Sequence, residues 1–285
     1  MGIRKILAPV DGSERSRFAL RTAFAVAQRF DAHVLGAHVS IDPAQAVPFV
    51  GEGMSGALVQ DLVELSVREN AARAAVARQL FERLQVDAGI PTATVPTTDR
   101  ASAAWAGSMG WDDAMLVRQG RLADMIVVAR PGPAGTDATP TRALFQTGRP
   151  VLVAGLAEAE SLGERVIVAW NGGVEAARAI TAALPFLAAA ERVTAVAVRD
   201  ASSDDDDRGL AEVAEYLAWH GVVARTHAVI TRAPVGEVLL EAAVAASADL
   251  VVMGGYSHSR LRELILGGVT RHMLEKAALP LLVAH

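Results

Sequence analysis

The chain has 285 residues, more than one domain of ordinary size requires and enough for two. Apolar residues make up 52% and charged residues 21%, a balance that builds large cores and excludes an intrinsically disordered chain. The net charge of −5 supplies no basic field for nucleic acid, and the absence of cysteine excludes disulfides, thiolate catalysis and cysteine-ligated metal centres.

The N-terminus enters a strand pattern over 4–9 at once and carries no apolar signal region. The longest apolar stretch, Ile180 to Ala190, is too short to span a bilayer. The expectation is a soluble, cytoplasmic protein with no membrane and no nucleic-acid partner. Asp11-Gly12-Ser13 closes the first strand and opens an alanine-bearing helical pattern, where Asp11 is a candidate helix cap. Further strands are predicted at 33–39, 91–97, 124–129 and 150–154. Between the second and third lie a Pro/Gly-containing loop, Ile41–Ser55, and a long helical pattern from Ala57 to Asp87. After the fourth strand, Arg130-Pro131-Gly132-Pro133-Ala134-Gly135-Thr136-Asp137 holds two prolines that remove amide donors. Thr139-Pro140 then reads as the start of a short helix.

A linker near Gly155–Gly163 leads into the same order again, with strands predicted at 165–169, 192–198, 223–230, 249–254 and 280–284. Asn171-Gly172-Gly173 stands where Asp11-Gly12-Ser13 stood. Ala248-Asp249-Leu250-Val251-Val252-Met253 matches Ala123-Asp124-Met125-Ile126-Val127-Val128, and Leu279–Ala284 matches Arg149–Ala154. Three matched segments in one order identify an internal repeat. Uninterrupted apolar strands suit sheets covered on both faces. The fold class is therefore α/β: two tandem doubly wound, Rossmann-like domains, each with a five-stranded parallel sheet, over 1–156 and 164–285. The halves differ in spacing: Asp11 lies 113 positions before Asp124, and Asn171 only 78 before Asp249.

The difference that matters most for function comes after the second half's fourth strand, in Met253-Gly254-Gly255-Tyr256-Ser257-His258-Ser259-Arg260 and then Gly267-Gly268-Val269-Thr270. Glycines let a backbone approach a ligand, and free amides near a helix start hydrogen-bond phosphate oxygens. His258 and Arg260 are candidates to steady phosphate charge. The bland reading is that these glycines only close tight turns. No Walker loop occurs. The histidines show no metal-ligand spacing, so no metal site is expected. Asp204–Asp207 reads as a solvated helix start, and Trp105, Trp111, Trp170 and Trp219 as core or interface residues.

On these residues the chain resembles the universal stress protein family, in its tandem two-domain form, over nearly all of both halves. ATP-binding members carry Gly-x2-Gly-x9-Gly-Ser/Thr after the fourth strand and an aspartate ending the first. Here those positions hold Gly254, Ser257, Gly267 and Gly268, with Asn171 at the aspartate. The resemblance implies ATP or another adenine nucleotide as ligand, contacted by Ala169, Asn171, Val198, Gly254, Gly255, Ser257, His258, Arg260, Gly267, Gly268, Val269 and Thr270. It implies a role in stress response, sensing or buffering nucleotide, with ATP hydrolysis weak at most. The second reading, left open by Ser257, Gly268 and Asn171, is an interaction module that has lost nucleotide. In the family, single domains often pair through the final strand. The two halves are thus expected to form an intrachain pseudo-dimer through Val151–Ala154 and Leu281–Ala284, with homodimers and other protein partners also open.

Overall fold

The structure, a computed structural model, describes residues 2–39, 56–106, 113–132, 139–158, 160–200, 209–255 and 268–285. The loop Ile41–Ser55, Trp111, most of 130–137, the acidic run Asp204–Asp207 and the segment from Tyr256 to Gly267 therefore lie outside the described residues.

The first half runs β1 (Lys5–Pro9), α1 (Glu14–Phe30), β2 (His33–Ala37), α2 (Gly56–Asp87), β3 (Ser102–Trp105), α3 (Asp113–Gly120), β4 (Met125–Val128), α4 (Thr139–Thr147) and β5 (Val151–Val153). The second runs β6 (Arg165–Ala169), α5 (Val174–Ala188), β7 (Arg192–Asp200), α6 (Leu210–Trp219), β8 (Ala224–Thr231), α7 (Val235–Ala245), β9 (Leu250–Gly254), α8 (Gly268–Lys276) and β10 (Leu281–Ala284). Among the described residues no helix is long and apolar enough to cross a membrane.

All ten strands form one sheet, ordered β3-β2-β1-β4-β5-β10-β9-β6-β7-β8. Within each half every pairing is parallel. The halves meet through β5 and β10, which run antiparallel with Val151 opposite Val283, Leu152 opposite Leu282 and Val153 opposite Leu281. The expected intrachain pseudo-dimer is thus built by backbone pairing of the two final strands. One side of the sheet is covered by α1, α2, α5 and α6, whose Leu20, Phe81, Ile180 and Leu217 pack on it. The other is covered by α3, α4, α7 and α8, through Leu116, Leu144, Leu239 and Met273. Strands such as Met125–Val128 are buried at every position, which explains their unbroken apolar sequence.

The first helix shows how the local sequence sets an element. Ser13 caps α1, its hydroxyl accepting from the Ser16 amide at 3.2 Å. Buried Ser16, Ala19, Leu20, Ala23, Phe24 and Ala27 recur at helical spacing, and Asp31 ends the helix in the left-handed region (φ 52°). The expected capping role of Asp11 therefore passes to Ser13, two residues on. Asp11 and Asn171 instead each accept the amide two residues ahead, at 2.9 and 3.0 Å, around a left-handed glycine (Gly12 φ 84°, Gly172 φ 75°).

One strand departs from the sequence reading. The first half's third strand is Ser102–Trp105, not 91–97. Thr92 makes only an isolated bridge to Ala103, Val95 is 71% exposed, and Pro96 has no amide to donate. The segment Ser-Ala-Ala-Trp has weak strand preference, but its small residues fit beside β2. There Trp105 lies 5.3 Å from Phe81, and Phe81 fills the space a Cβ on Gly36 would need. Packing outweighed propensity. Residues 91–93 still cover the outer edge of β3 through the Ala93 amide to Ala103 O and the Ala103 amide to Pro91 O. Trp219, expected in a core or an interface, is 82% exposed and so lies outside the core.

Candidate functional site

In each half the strand order reverses between the first and fourth strands, so a crevice opens beyond their carboxyl ends. In the second half these are β6 and β9, paired with Ala169 opposite Met253. Ala169 ends β6 and also faces Val196 of β7, and Val198 lies buried two residues further along β7. Asn171, exposed, follows β6, and Gly254 ends β9. Helices return antiparallel to their strands. Gly268, Val269 and Thr270, the first residues of α8, therefore start at this same end, with Thr270 buried and Gly268 exposed. The structure thus gathers Ala169, Asn171, Val198, Gly254, Gly255, Gly268, Val269 and Thr270 around one sheet end. Ser257, His258, Arg260 and Gly267 lie outside the described residues.

The glycines have distinct local reasons. A Cβ on Gly254 would stand 2.5 Å from the Ala176 amide nitrogen and 2.9 Å from the Glu175 Cβ, so the end of β9 presses on the first turn of α5. A Cβ on Gly255 would stand 2.7 Å from Val283 Cγ1. The Gly255 amide donates to Ala284 O at 2.8 Å, which removes it from the bare amides that a phosphate would use. Gly268 is different: a Cβ there would meet none of the described residues within 4 Å. Of these three glycines, only Gly268 is free of such a contact among the described residues.

The two helices that follow the switch-point strands β6 and β9, α5 and α8, start at this end and differ electrostatically. The first turn of α5 carries Glu175, whose carboxylate already complements the partial positive charge of its amides. The first turn of α8 carries no acidic residue. An anion is therefore favoured at α8 over α5. The pattern-based reading missed Glu175, although an acid three positions past a turn glycine is a visible signal.

At the corresponding end of the first half, the described turn residues bond to one another. Ser16 Oγ donates to Asp11 Oδ1 and accepts from the Asp11 amide at 3.0 Å, while the Ser13 amide donates to the same carboxylate oxygen. Surrounding protein mass pulls the Asp11 pKa upward, but the donors on Ser16 and Ser13 outweigh it and leave the carboxyl below its ordinary value. Helix α2 backs the turn: a Cβ on Gly12 would lie 3.0 Å from Val76 Cγ1. Arg15 Nη1 occupies the space beside Gly132, 2.6 Å from where a Cβ would stand. The repeat replaces Ser13 and Ser16 by Gly173 and Ala176 in the second half, so these two hydroxyls have no counterpart there.

Behind each crevice an aspartate holds the start of the first strand. Asp124 accepts from the Arg4 and Lys5 amides, both at 2.9 Å. Asp249 accepts from the amides of Gly163, Glu164 and Arg165, each at 3.0 Å, and from Ser161 Oγ at 2.5 Å. The Ala-Asp pair noticed as a repeat marker is thus a backbone staple. Among the described residues no group of three His, Asp or Glu side chains is placed to hold a metal ion.

A sheet of two fused doubly wound units, each with a glycine turn at its switch point, defines a tandem α/β protein of the Rossmann-like class. The universal stress protein family matches residues 2–138 and again 163–285, and the chain belongs to that family, carrying its domain twice. A universal stress protein from Archaeoglobus fulgidus superposes with a TM-score of 0.66 at 17% identity, covering 98% of this chain and 97% of that one. A putative universal stress protein from Pseudomonas aeruginosa gives 0.55 at 15% identity, covering 99% and 93%. A functionally unknown protein from Pseudomonas aeruginosa gives 0.54 at 14% identity, covering 99% and 92%. These likenesses extend over both halves and establish the fold. Comparison of the sequence with curated proteins gives no match.

Proposed function

We propose that the second-half crevice binds an adenine nucleotide, ATP in the first instance, and that the protein senses or buffers it in a stress response with at most slow hydrolysis. The observation that carries this reading is the start of α8. It faces the switch point between β6 and β9, has no acid in its first turn, and begins at a glycine where a Cβ would meet none of the described residues within 4 Å. Gly268 and its neighbours would take phosphate, while Ala169, Asn171 and Val198 would line the nucleoside side. Gly254 acts by letting β9 approach α5, and Ser257, His258, Arg260 and Gly267 complete the proposed loop. Glu175 disfavours phosphate at α5 and so directs it to α8.

A second reading is an interaction module without nucleotide. It is favoured by the Gly255 amide, which is held by Ala284, and by the Asn171 carboxamide oxygen, which accepts from Gly173. Calorimetric titration of ATP into nucleotide-stripped protein separates the two readings. Saturable binding is expected, and no heat at millimolar ATP would remove the nucleotide reading.

A further inference from the structure

Arg130 is 3% exposed, and its described partners are four carbonyl oxygens with no carboxylate among them. Its Nε donates to Ala154 O at 3.3 Å, at the end of its own half's β5. The other donors cross to the second half: Nη1 to Met273 O at 3.1 Å and Leu274 O at 2.8 Å, and Nη2 to Leu279 O at 2.9 Å. Met273 and Leu274 lie in the last turn of α8, where carbonyls carry the negative end of the helix dipole. Burial lowers the Arg130 pKa to about 10, which leaves the guanidinium charged at neutral pH. Its place in the repeat is telling. Arg130 follows Asp124 by the same spacing as Gly255 follows Asp249. A side chain at Gly255 would stand 2.7 Å from Val283 Cγ1, so a reciprocal arginine in the second half would have to displace it. The first half's turn has become a strut for the second half's helix.

We propose that Arg130 is a positioning residue for the second-half ligand site. It clamps the C-terminal end of α8 so that the opposite end, Gly268 to Thr270, is held still against an incoming phosphate. The inference rests on the nucleotide reading above. A cation at one end of the nine-residue helix and an anion at the other both align with its dipole. By linkage, whatever factor the clamp adds to nucleotide affinity, nucleotide adds to the clamp.

Arg29 supplies the control. It too joins the halves through three carbonyl bonds, to Leu162 O at 2.6 Å, Gly163 O at 3.3 Å and Ala189 O at 2.7 Å, but none of these lies on α8. The experiment titrates ATP into wild type, Arg130→Gln, Arg130→Lys and Arg29→Gln, each checked for folding by circular dichroism. ATP-dependent hydrogen exchange is followed at residues 273–281. Arg130→Gln is expected to weaken ATP by about fivefold or more and to lose the ATP-induced protection at the end of α8. Arg130→Lys, which keeps charge but reaches fewer carbonyls, should fall between it and wild type. Arg29→Gln should lose stability and bind ATP as wild type does. If Arg130→Gln does not fold, the lysine variant decides, and unchanged affinity in it overturns the proposal. Equal weakening by Arg29→Gln also overturns it, because loosening the halves would then suffice. Normal binding in all variants defeats the clamp and leaves the nucleotide reading standing, whereas no binding by wild type defeats both.

Discussion

The two crevices share a backbone and differ in what their side chains do with it. Asp11 and Asn171 occupy the same turn, each accepting the amide two residues on around a left-handed glycine. In the first half Ser16 adds a further donor to the carboxylate, helix α2 backs the glycine, and Arg15 fills the space beside Gly132. In the second half glycine and alanine replace both serines, and a Cβ on Gly268 would meet none of the described residues within 4 Å. The comparison teaches that an acidic residue kept in the turn can be engaged by the turn itself: one Asp11 oxygen takes both the Ser13 amide and the Ser16 hydroxyl.

Variants at paired positions can break or sharpen that comparison. The largest stability effect is expected behind the crevices. Asp249→Ala removes an acceptor from three amides and a hydroxyl at a site 9% exposed, which should cost about 3 to 5 kcal/mol in denaturant unfolding. Asp124→Ala frees two amides nearer solvent and should cost about 1 to 2 kcal/mol. Equal losses would show that the two staples are not graded by donor count. Next comes the end of the fourth strand, Gly254 against Ala129. Gly254→Ala places a Cβ against backbone and should cost about 1 to 3 kcal/mol, while Ala129→Gly should cost under about 1 kcal/mol.

Smaller effects follow at the turns. Asn171→Ala should weaken ATP about fivefold, and Asp11→Ala should leave affinity unchanged while lowering the melting temperature. Calorimetry and thermal unfolding on the same samples check both, and a larger affinity loss for Asp11→Ala would reverse the assignment of the halves. The smallest effect is a pH dependence confined to the first half. His33, opposite Lys5 at the start of β2, has its pKa lowered from 6.5 by burial and then by the Lys5 charge, and its Nδ1 lies 2.9 Å from Ser102 Oγ. Its counterpart opposite Arg165 is Arg192, so the second half has no histidine at this position. The folded form resists a proton that the unfolded chain accepts at 6.5, so stability is lost as pH falls below 6.5. His33→Gln should flatten that slope between about pH 5 and about pH 7, the range of the free imidazole, as followed by urea unfolding at each pH.

Much of this architecture is legible in the residues. Unbroken apolar runs and the matched Ala-Asp and Arg-Pro/Leu-Pro segments place nine of the ten strands within a few positions and reveal the duplication. The exception, Ser102–Trp105, has a composition that does not announce a strand. Only the space left by Gly36 and filled by Phe81 and Trp105 selects it. The site is legible as a region and less so as chemistry. Gly254 and Gly255 stand out as ligand-type glycines, yet the first is small because α5 presses on it and the second because Val283 does. That the Gly255 amide belongs to Ala284 depends on a register between strands, which no local pattern carries. Arg130 is hidden for a related reason. It sits in a proline-rich turn that reads as a degraded loop, and its four partners are backbone carbonyls, which have no sequence signature.

The central claim is that nucleotide enters at the start of α8 and not at the Asp11 turn. Hydrogen exchange of nucleotide-stripped protein with and without saturating ATP tests it most directly. Protection is expected at Asn171–Gly173 and Gly268–Thr270, with Asp11–Ser13 unchanged. Protection at Asp11–Ser13 with none at Gly268–Thr270 would contradict it.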